Sequence, residues 1–380
     1  MKRLTAVVAM GVSAAVMAAG AAAAAPTPGH GLRPGEAYAG AGNPERRAGG
    51  VGAAQVPAGL KGVDVSSYQG PNVDWAALKQ SGVRFAFVKA TEGAKVKGDP
   101  DSGYVNPYFK DQYNGARKAG LIRGAYHFAL PHKSGGARQA DYFINNGGGW
   151  STGGGTLPGV LDIEFNPYDN GLDTCYGLKP AQMVGWIRAF SNRYRKRTGR
   201  YPIIYTNAYW WNKCTNNNTS FGNHPLWQAH YGSGPVTPPA GWKTYTFWQY
   251  AAGTGATGNP SVFNGSLKAL RKLAAQARTG FTKVNAGPEP RKKGKKLTVV
   301  GRLHYHNGTA WRPLAKRKVS IWFRARGTSK WVRKAVVTTN GKGRFRRKFI
   351  ARKDGYWRVK FAGGPKFFGV TSGSDYVDVR

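Results

Sequence analysis

Asp162 and Glu164 stand two residues apart near the end of a short apolar run. Thr156 to Phe165 reads Thr-Leu-Pro-Gly-Val-Leu-Asp-Ile-Glu-Phe, bounded by glycine and proline. Such a run has the character of a buried parallel strand, and side chains two apart on a strand share a face. Burying one carboxylate is costly and burying two side by side more so, yet a chain with only 17 acidic residues places two of them here. A carboxylate pair in a cleft can divide the work of glycosidic-bond hydrolysis, one member held protonated as acid and the other held charged. Glu164, flanked by Phe165 and facing aromatics such as Tyr126, Tyr205 and Trp248, would have its charged form destabilised and its pKa moved up toward the working pH. Taken alone, the pair also fits a solvated strand end with ordinary surface acids.

The elements around the pair favour the chemical reading. Gly62 to Tyr68 predicts a strand ending in Asp64 and hydroxyls, and Phe85 to Gly93 a strand carrying Glu92 at its end. Leu121 to Phe128 predicts another, finishing in Tyr126 and His127. Helical stretches follow at 75–81, 107–119, 135–145 and 180–198, the last with Pro180 at its start and Gly199 just past its end, as capping requires. Strand–helix alternation with polar residues at the C-terminal ends of strands is the plan of an α/β barrel. Tyr201 to Asn207, Leu226 to Tyr231 and Tyr245 to Tyr250 continue the strands. Glycine, proline and asparagine loops join them with little room for helices, so the second half of the barrel is expected to be irregular.

Five ordered motifs carry a family resemblance: Asp64-Val65-Ser66-Ser67-Tyr68-Gln69-Gly70, Lys89-Ala90-Thr91-Glu92-Gly93, Ala125-Tyr126-His127-Phe128, Leu161-Asp162-Ile163-Glu164 and Phe247-Trp248-Gln249-Tyr250. Over roughly Leu60 to Ala274 the chain resembles glycoside hydrolase family 25, the Chalaropsis-type lysozymes or N-acetylmuramidases. The resemblance implies an α/β fold, an irregular TIM-like barrel of eight strands and about five helices. It implies hydrolysis of the β-1,4 bond after N-acetylmuramic acid in peptidoglycan. Glu164 matches the family's general acid/base, and Asp162 the carboxylate that supports attack by the substrate's own acetamido group. Asp64 matches the strand-one acid that supports the site. Substrate assistance of this kind departs from the usual two-carboxylate retaining scheme. Glu92, Tyr126, Tyr205, Trp227, Trp248 and Asn259 are the candidate substrate-binding residues. One position differs: where the family usually carries Asp-x-Asn-x-Phe, this chain reads Asn259-Pro260-Ser261-Val262-Phe263. Asn259 keeps size and hydrogen bonding but not charge.

Composition adds the setting. Met1-Lys2-Arg3 followed by an apolar, alanine-rich stretch predicts a secretory signal over 1–25. Residues 26–59, rich in Ala, Gly and Pro, are expected to be disordered. The only two cysteines, Cys175 and Cys214, are expected to pair in an exported protein. The formal net charge is +40, and roughly 27 basic against 4 acidic residues lie beyond residue 280. The barrel is expected over 60–277, a basic linker over 278–296 and a basic β-sandwich over 297–380. Alternating runs such as Val319 to Phe323, Trp331 to Val337 and Trp357 to Phe361, broken by turns at Asn340-Gly341 and Asp354-Gly355, predict that sandwich. It resembles immunoglobulin-like modules, and its Arg, Lys and Trp residues suit anionic wall polymers; a purely solubilising face fits equally. No helix-turn-helix, zinc-finger spacing or RNA-binding signature supports a nucleic-acid partner. No cofactor is called for, and the scattered His127, His132, His224 and His230 predict no metal site. A monomer is expected. A non-catalytic wall polysaccharide-binding protein and a chitinase-like glycosidase are the alternatives, though a chitinase would want a longer run of aspartates before its glutamate.

Overall fold

The computed structural model describes residues 31–46, 57–231, 236–253 and 255–380; the expected signal segment lies outside them. Nine strands of the first half form a single sheet: β1 (Leu60–Val65), β2 (Phe85–Gly93), β3 (Gly103–Val105), β4 (Ile122–Phe128), β5 (Val160–Asp162), β6 (Ile203–Asn207), β7 (Leu226–Ala229), β8 (Phe247–Gln249) and β9 (Asn259–Phe263). The order β1-β9-β8-β7-β6-β5-β4-β2 closes through β1–β2 pairing, giving an eight-stranded barrel, with β3 a short antiparallel addition to β2. All barrel neighbours run parallel except at β9, which is antiparallel to both β1 and β8. β2 and β6 are buried along their whole lengths, which is why the sequence shows runs of apolar residues rather than alternation.

Helices α1 (Trp75–Gln80), α2 (Phe109–Lys118), α3 (Gly136–Phe143), α4 (Pro180–Thr198), α5 (Ala208–Thr215) and α6 (Leu267–Ala275) lie outside the barrel strands in sequence. α4 begins at Pro180 and ends at Gly199, whose φ of 78° is left-handed and whose N–H caps the Arg195 carbonyl. The β6–β7 connection thus holds a helix, α5, where a loop with little room for one was expected. Asn207 accepts from Tyr209 N and Trp210 N to start α5, and Ser266 accepts from Ala269 N to start α6. α5 is short and rich in aromatic residues, so its helical period was masked. Cys175 and Cys214 form a disulfide, Cα–Cα 5.4 Å and 39 residues apart in sequence. It ties the loop after β5 to α5 and is worth about 4 kcal/mol in the chain-entropy picture.

The C-terminal part is two sheets with one core. β10 (Thr279–Gly287), β11 (Lys296–His306), β12 (Trp311–Pro313) and β15 (Arg344–Ile350) make one sheet. β13 (Lys318–Ala325), β14 (Val332–Thr338), β16 (Gly355–Phe361), β17 (Val370–Thr371) and β18 (Asp375–Val377) make the other. Val299, Leu303 and Phe345 from the first meet Val319, Ile321, Trp357 and Phe361 from the second. The stretch 278–296 is therefore not simply a linker. β10 pairs with β11, and Phe281 and Val284 pack on the core across a bulge between Thr282 and Asn285.

Residues 31–46, part of the segment expected to be disordered, are packed instead. Ala37 and Ala39 are fully buried, and Ala41 and Asn43 nearly so, at the barrel's mouth. Alanine and glycine contribute little apolar area, but they let a backbone lie close against a polar floor, where its own N–H and C=O groups find partners.

Candidate active site

Parallel strands deliver their C-terminal residues to one end of a barrel, and here that end collects acids. Asp64 is the penultimate residue of β1, Asp162 is the last of β5, and Glu164 follows two residues later. All three are at most 1% exposed. β5 is shorter than the predicted strand, so Glu164 projects from the segment just past it. Both oxygens of Asp64 accept amide N–H groups, Oδ1 from Gln249 Nε2 at 2.7 Å and Oδ2 from Asn259 Nδ2 at 2.9 Å. Asn259 is placed by the β1–β9 register, which sets its Cα opposite Asp64.

Asp162 has a different environment. Burial, then the charges of Glu164 and Asp64, hold its carboxyl well above the usual carboxylate range, with Lys89 as the offsetting cation. Among the described residues no donor group hydrogen-bonds either of its oxygens; its close polar contact is with Glu164. Two neighbouring buried carboxyls cannot both ionise cheaply, so one proton belongs to the pair. Lys89 itself is fully buried, its pKa lowered by desolvation against the favourable charge of Glu92. The Lys89 Nζ–Glu92 Oε2 ion pair spans 2.6 Å.

The other candidates divide. Tyr126 and Tyr205 are fully buried below the carboxylates; burial, then Asp64 and Asp162, pushes the Tyr126 hydroxyl up. Tyr205 Oη donates to Gln249 Oε1 at 2.6 Å, and the Tyr231 hydroxyl donates to the same oxygen. Trp248 sits half-buried at the rim beside Tyr245 and Tyr250, its Nε1 donating to the His230 carbonyl at 2.8 Å. Glu92 is committed to Lys89 and also accepts from the Tyr168 hydroxyl. Trp227 is fully buried, stacked on Phe87 at 4.5 Å between centroids, with Nε1 donating to Ser261 Oγ at 3.1 Å. It packs edge-on against Tyr126 and Tyr205 within the barrel.

Gln249 is the main residue the sequence reading passed over as a site residue. It lies inside the Phe247-Trp248-Gln249-Tyr250 motif, and the alternation that buries Phe247 and Gln249 while leaving Trp248 half-buried was the available signal. Tyr168 and Lys89 belong with it. His127 is a packed barrel residue: Nδ1 meets Thr91 Oγ1 at 2.8 Å and Nε2 meets Gln139 Oε1 at 2.9 Å. Burial lowers its pKa to about 3. Among the described residues no group of three His, Cys, Asp or Glu side chains could hold a metal ion.

Residues 63–258, which hold all three carboxylates and all five motifs, match the model of glycosyl hydrolases family 25. The chain belongs to that family. It is 46% identical to lysozyme M1 of Streptomyces globisporus over 272 residues, covering 67% of this chain and 87% of that one. It is 48% identical to the N,O-diacetylmuramidase of Chalaropsis sp over 220 residues, covering 57% of this chain and 99% of that one. The crystal structure of the bacterial lysozyme from Streptomyces coelicolor superposes with a TM-score of 0.52 at 46% identity, covering 57% of this chain and 98% of that one. The family 25 match ends before α6, so the two C-terminal sheets lie outside it.

Proposed function

We propose that this family 25 enzyme is an exported lysozyme that hydrolyses the β-1,4 bond between N-acetylmuramic acid and N-acetylglucosamine in peptidoglycan. The observation that carries the reading is the burial of Asp64, Asp162 and Glu164 together at the C-terminal ends of β1 and β5. One proton shared by Asp162 and Glu164 is the resting state that the reaction requires. Glu164 gives that proton to the leaving glycosidic oxygen while the substrate's acetamido oxygen attacks the anomeric carbon. Asp162, now charged, stabilises the positive oxazolinium that forms. Glu164 then takes a proton from the water that opens this intermediate, which returns the acid form and retains the anomeric configuration. Asp64, fixed by Gln249 and Asn259, keeps a negative charge beside the developing cation.

The basic module is assigned to wall attachment. A groove of about 870 Å³ is lined by Arg278, Lys283, Arg302, His304, Trp311 and Arg312, with Trp311 44% exposed. Clustered cations around an aromatic face suit the phosphates and carboxylates of wall polymers.

Digesting purified cell walls and identifying the new reducing sugar tests the activity. N-acetylmuramic acid at the new reducing end is the expected result, with chitin oligomers left intact. N-acetylglucosamine at that end, or cleaved chitin, contradicts the reading.

A further inference from the structure

The catalytic cleft is already occupied by the chain itself. Gly40 N donates to Glu164 Oε1 at 2.5 Å. The Ala39 carbonyl accepts from Gln249 Nε2 at 3.2 Å and from Asn259 Nδ2 at 3.1 Å, the same two amides that hold Asp64. On one side, Gly35 N donates to Glu92 Oε1 at 3.1 Å, Lys89 Nζ donates to the Gly35 carbonyl at 2.9 Å, and it donates also to the Ala37 carbonyl. On the other, Glu45 accepts from Tyr231 N at 2.8 Å and Asn207 Nδ2 at 3.3 Å, and lies 3.6 Å from His230 Nδ1. Residues 35–45 are thus bonded at both ends to the barrel's mouth, and through Gly35, Ala39 and Gly40 to Glu92, Asn259 and Glu164, groups expected to meet the substrate.

The local sequence is fitted to that path. Gly40 has φ +87°, in the left-handed region, and a Cβ there would overlap the Tyr231 hydroxyl. A Cβ at Gly42 would come within 2.7 Å of the Phe165 carbonyl oxygen. With the segment in place, the cavity left between Tyr38 and Asp64 is about 10 Å³, room for one water at most. A pyranose ring cannot enter.

We propose that residues 33–45 are an intramolecular inhibitor, and that the enzyme becomes active when this segment leaves the cleft. While the segment is tethered, its effective concentration at the cleft is on the order of millimolar, which a substrate must outcompete; water added across one peptide bond removes that advantage. The occupant is peptide amide, the same hydrogen-bonding chemistry as the acetamido groups of the sugar. This inference rests on the catalytic reading of Asp162 and Glu164.

The test uses the exported chain, residues 26–380, with 47–53 replaced by the recognition sequence of a site-specific viral protease. Hydrolysis of soluble peptidoglycan fragments is measured before and after cutting, and binding of the same fragments is followed by tryptophan fluorescence. Cutting should raise the rate at least tenfold and bring fragment binding into range. Gly40→Val, left uncut, should give a rate within threefold of the cut parent, because the added side chain cannot share the space with Tyr231. Uncut and cut chains that bind and hydrolyse equally would overturn the inhibitor. A cut chain that gains binding but no hydrolysis would keep the inhibitor and overturn the roles given to Asp162 and Glu164. A cut chain that neither binds nor hydrolyses would overturn both.

Discussion

The side-chain amide of Asn259 donates to Asp64 Oδ2 at 2.9 Å while its own oxygen accepts from Gly253 N at 2.9 Å. At a position where the family usually has an acid, the amide supplies a donor that a carboxylate lacks, so Asp64 is held by two amides rather than by one amide and a proton. Asn259→Asp, measured in the chain freed of residues 33–45, should change kcat by less than about threefold. Its pH optimum should move upward, because a like charge beside Asp64 disfavours ionisation of the whole cluster. A hundredfold gain in rate would mean that the natural asparagine impairs the enzyme.

Asp162 gives a stability prediction with a definite sign. Its carboxyl is held above its ordinary value of 3.8 by burial and by Glu164 and Asp64, so the folded state binds a proton more tightly than the unfolded state does. The stability that comes with that proton is fully present below pH about 4 and is lost as pH rises toward the folded value. Asp162→Asn removes this loss. Thermal melts should place the variant a few degrees above the parent at pH about 7, with the gap closing toward pH about 3, while wall hydrolysis falls by about a hundredfold or more. A variant less stable than the parent at neutral pH would show that Asp162 is held by favourable contacts rather than by enforced burial.

The wall-binding assignment concerns a different surface. Replacing Lys283, Arg302 and Arg312 with glutamine removes three cations from the groove without touching the barrel's carboxylates. Sedimentation with intact walls should show binding weakened several-fold at low salt, and the difference should shrink as salt screens the charges. Cleavage of soluble fragments should stay within about twofold. Equal sedimentation at low salt would remove the groove from wall attachment.

Much of the catalytic half was legible because its signals are compositional. Apolar runs ending in acids at Asp64, Glu92 and Asp162, alternating with helical stretches, pointed to strands that meet at one barrel end, and the change at Asn259 is plain in the sequence. The depth of Trp227 was not legible, because a barrel strand buried on both faces carries no alternation to say whether a side chain points to the interior, the mouth or the surrounding helices. β10 was hidden by its bulge, which breaks the two-residue spacing between Phe281 and Val284. The segment at the cleft was the least legible. It binds through Gly40 N–H and the Ala39 carbonyl, backbone groups that every residue carries, and its alanines and glycines read as disorder.

The central claim is that Glu164 carries the proton of the reaction, and one variant tests it most directly. Glu164→Gln keeps the shape of the side chain and its capacity to accept from a backbone N–H but cannot transfer a proton at neutral pH. In the chain cut free of its inhibitor, kcat/KM for soluble peptidoglycan fragments should fall at least about a thousandfold, with fragment binding within threefold of the parent and a cooperative melt no lower than the parent's at neutral pH. Hydrolysis within tenfold of the parent would contradict the account.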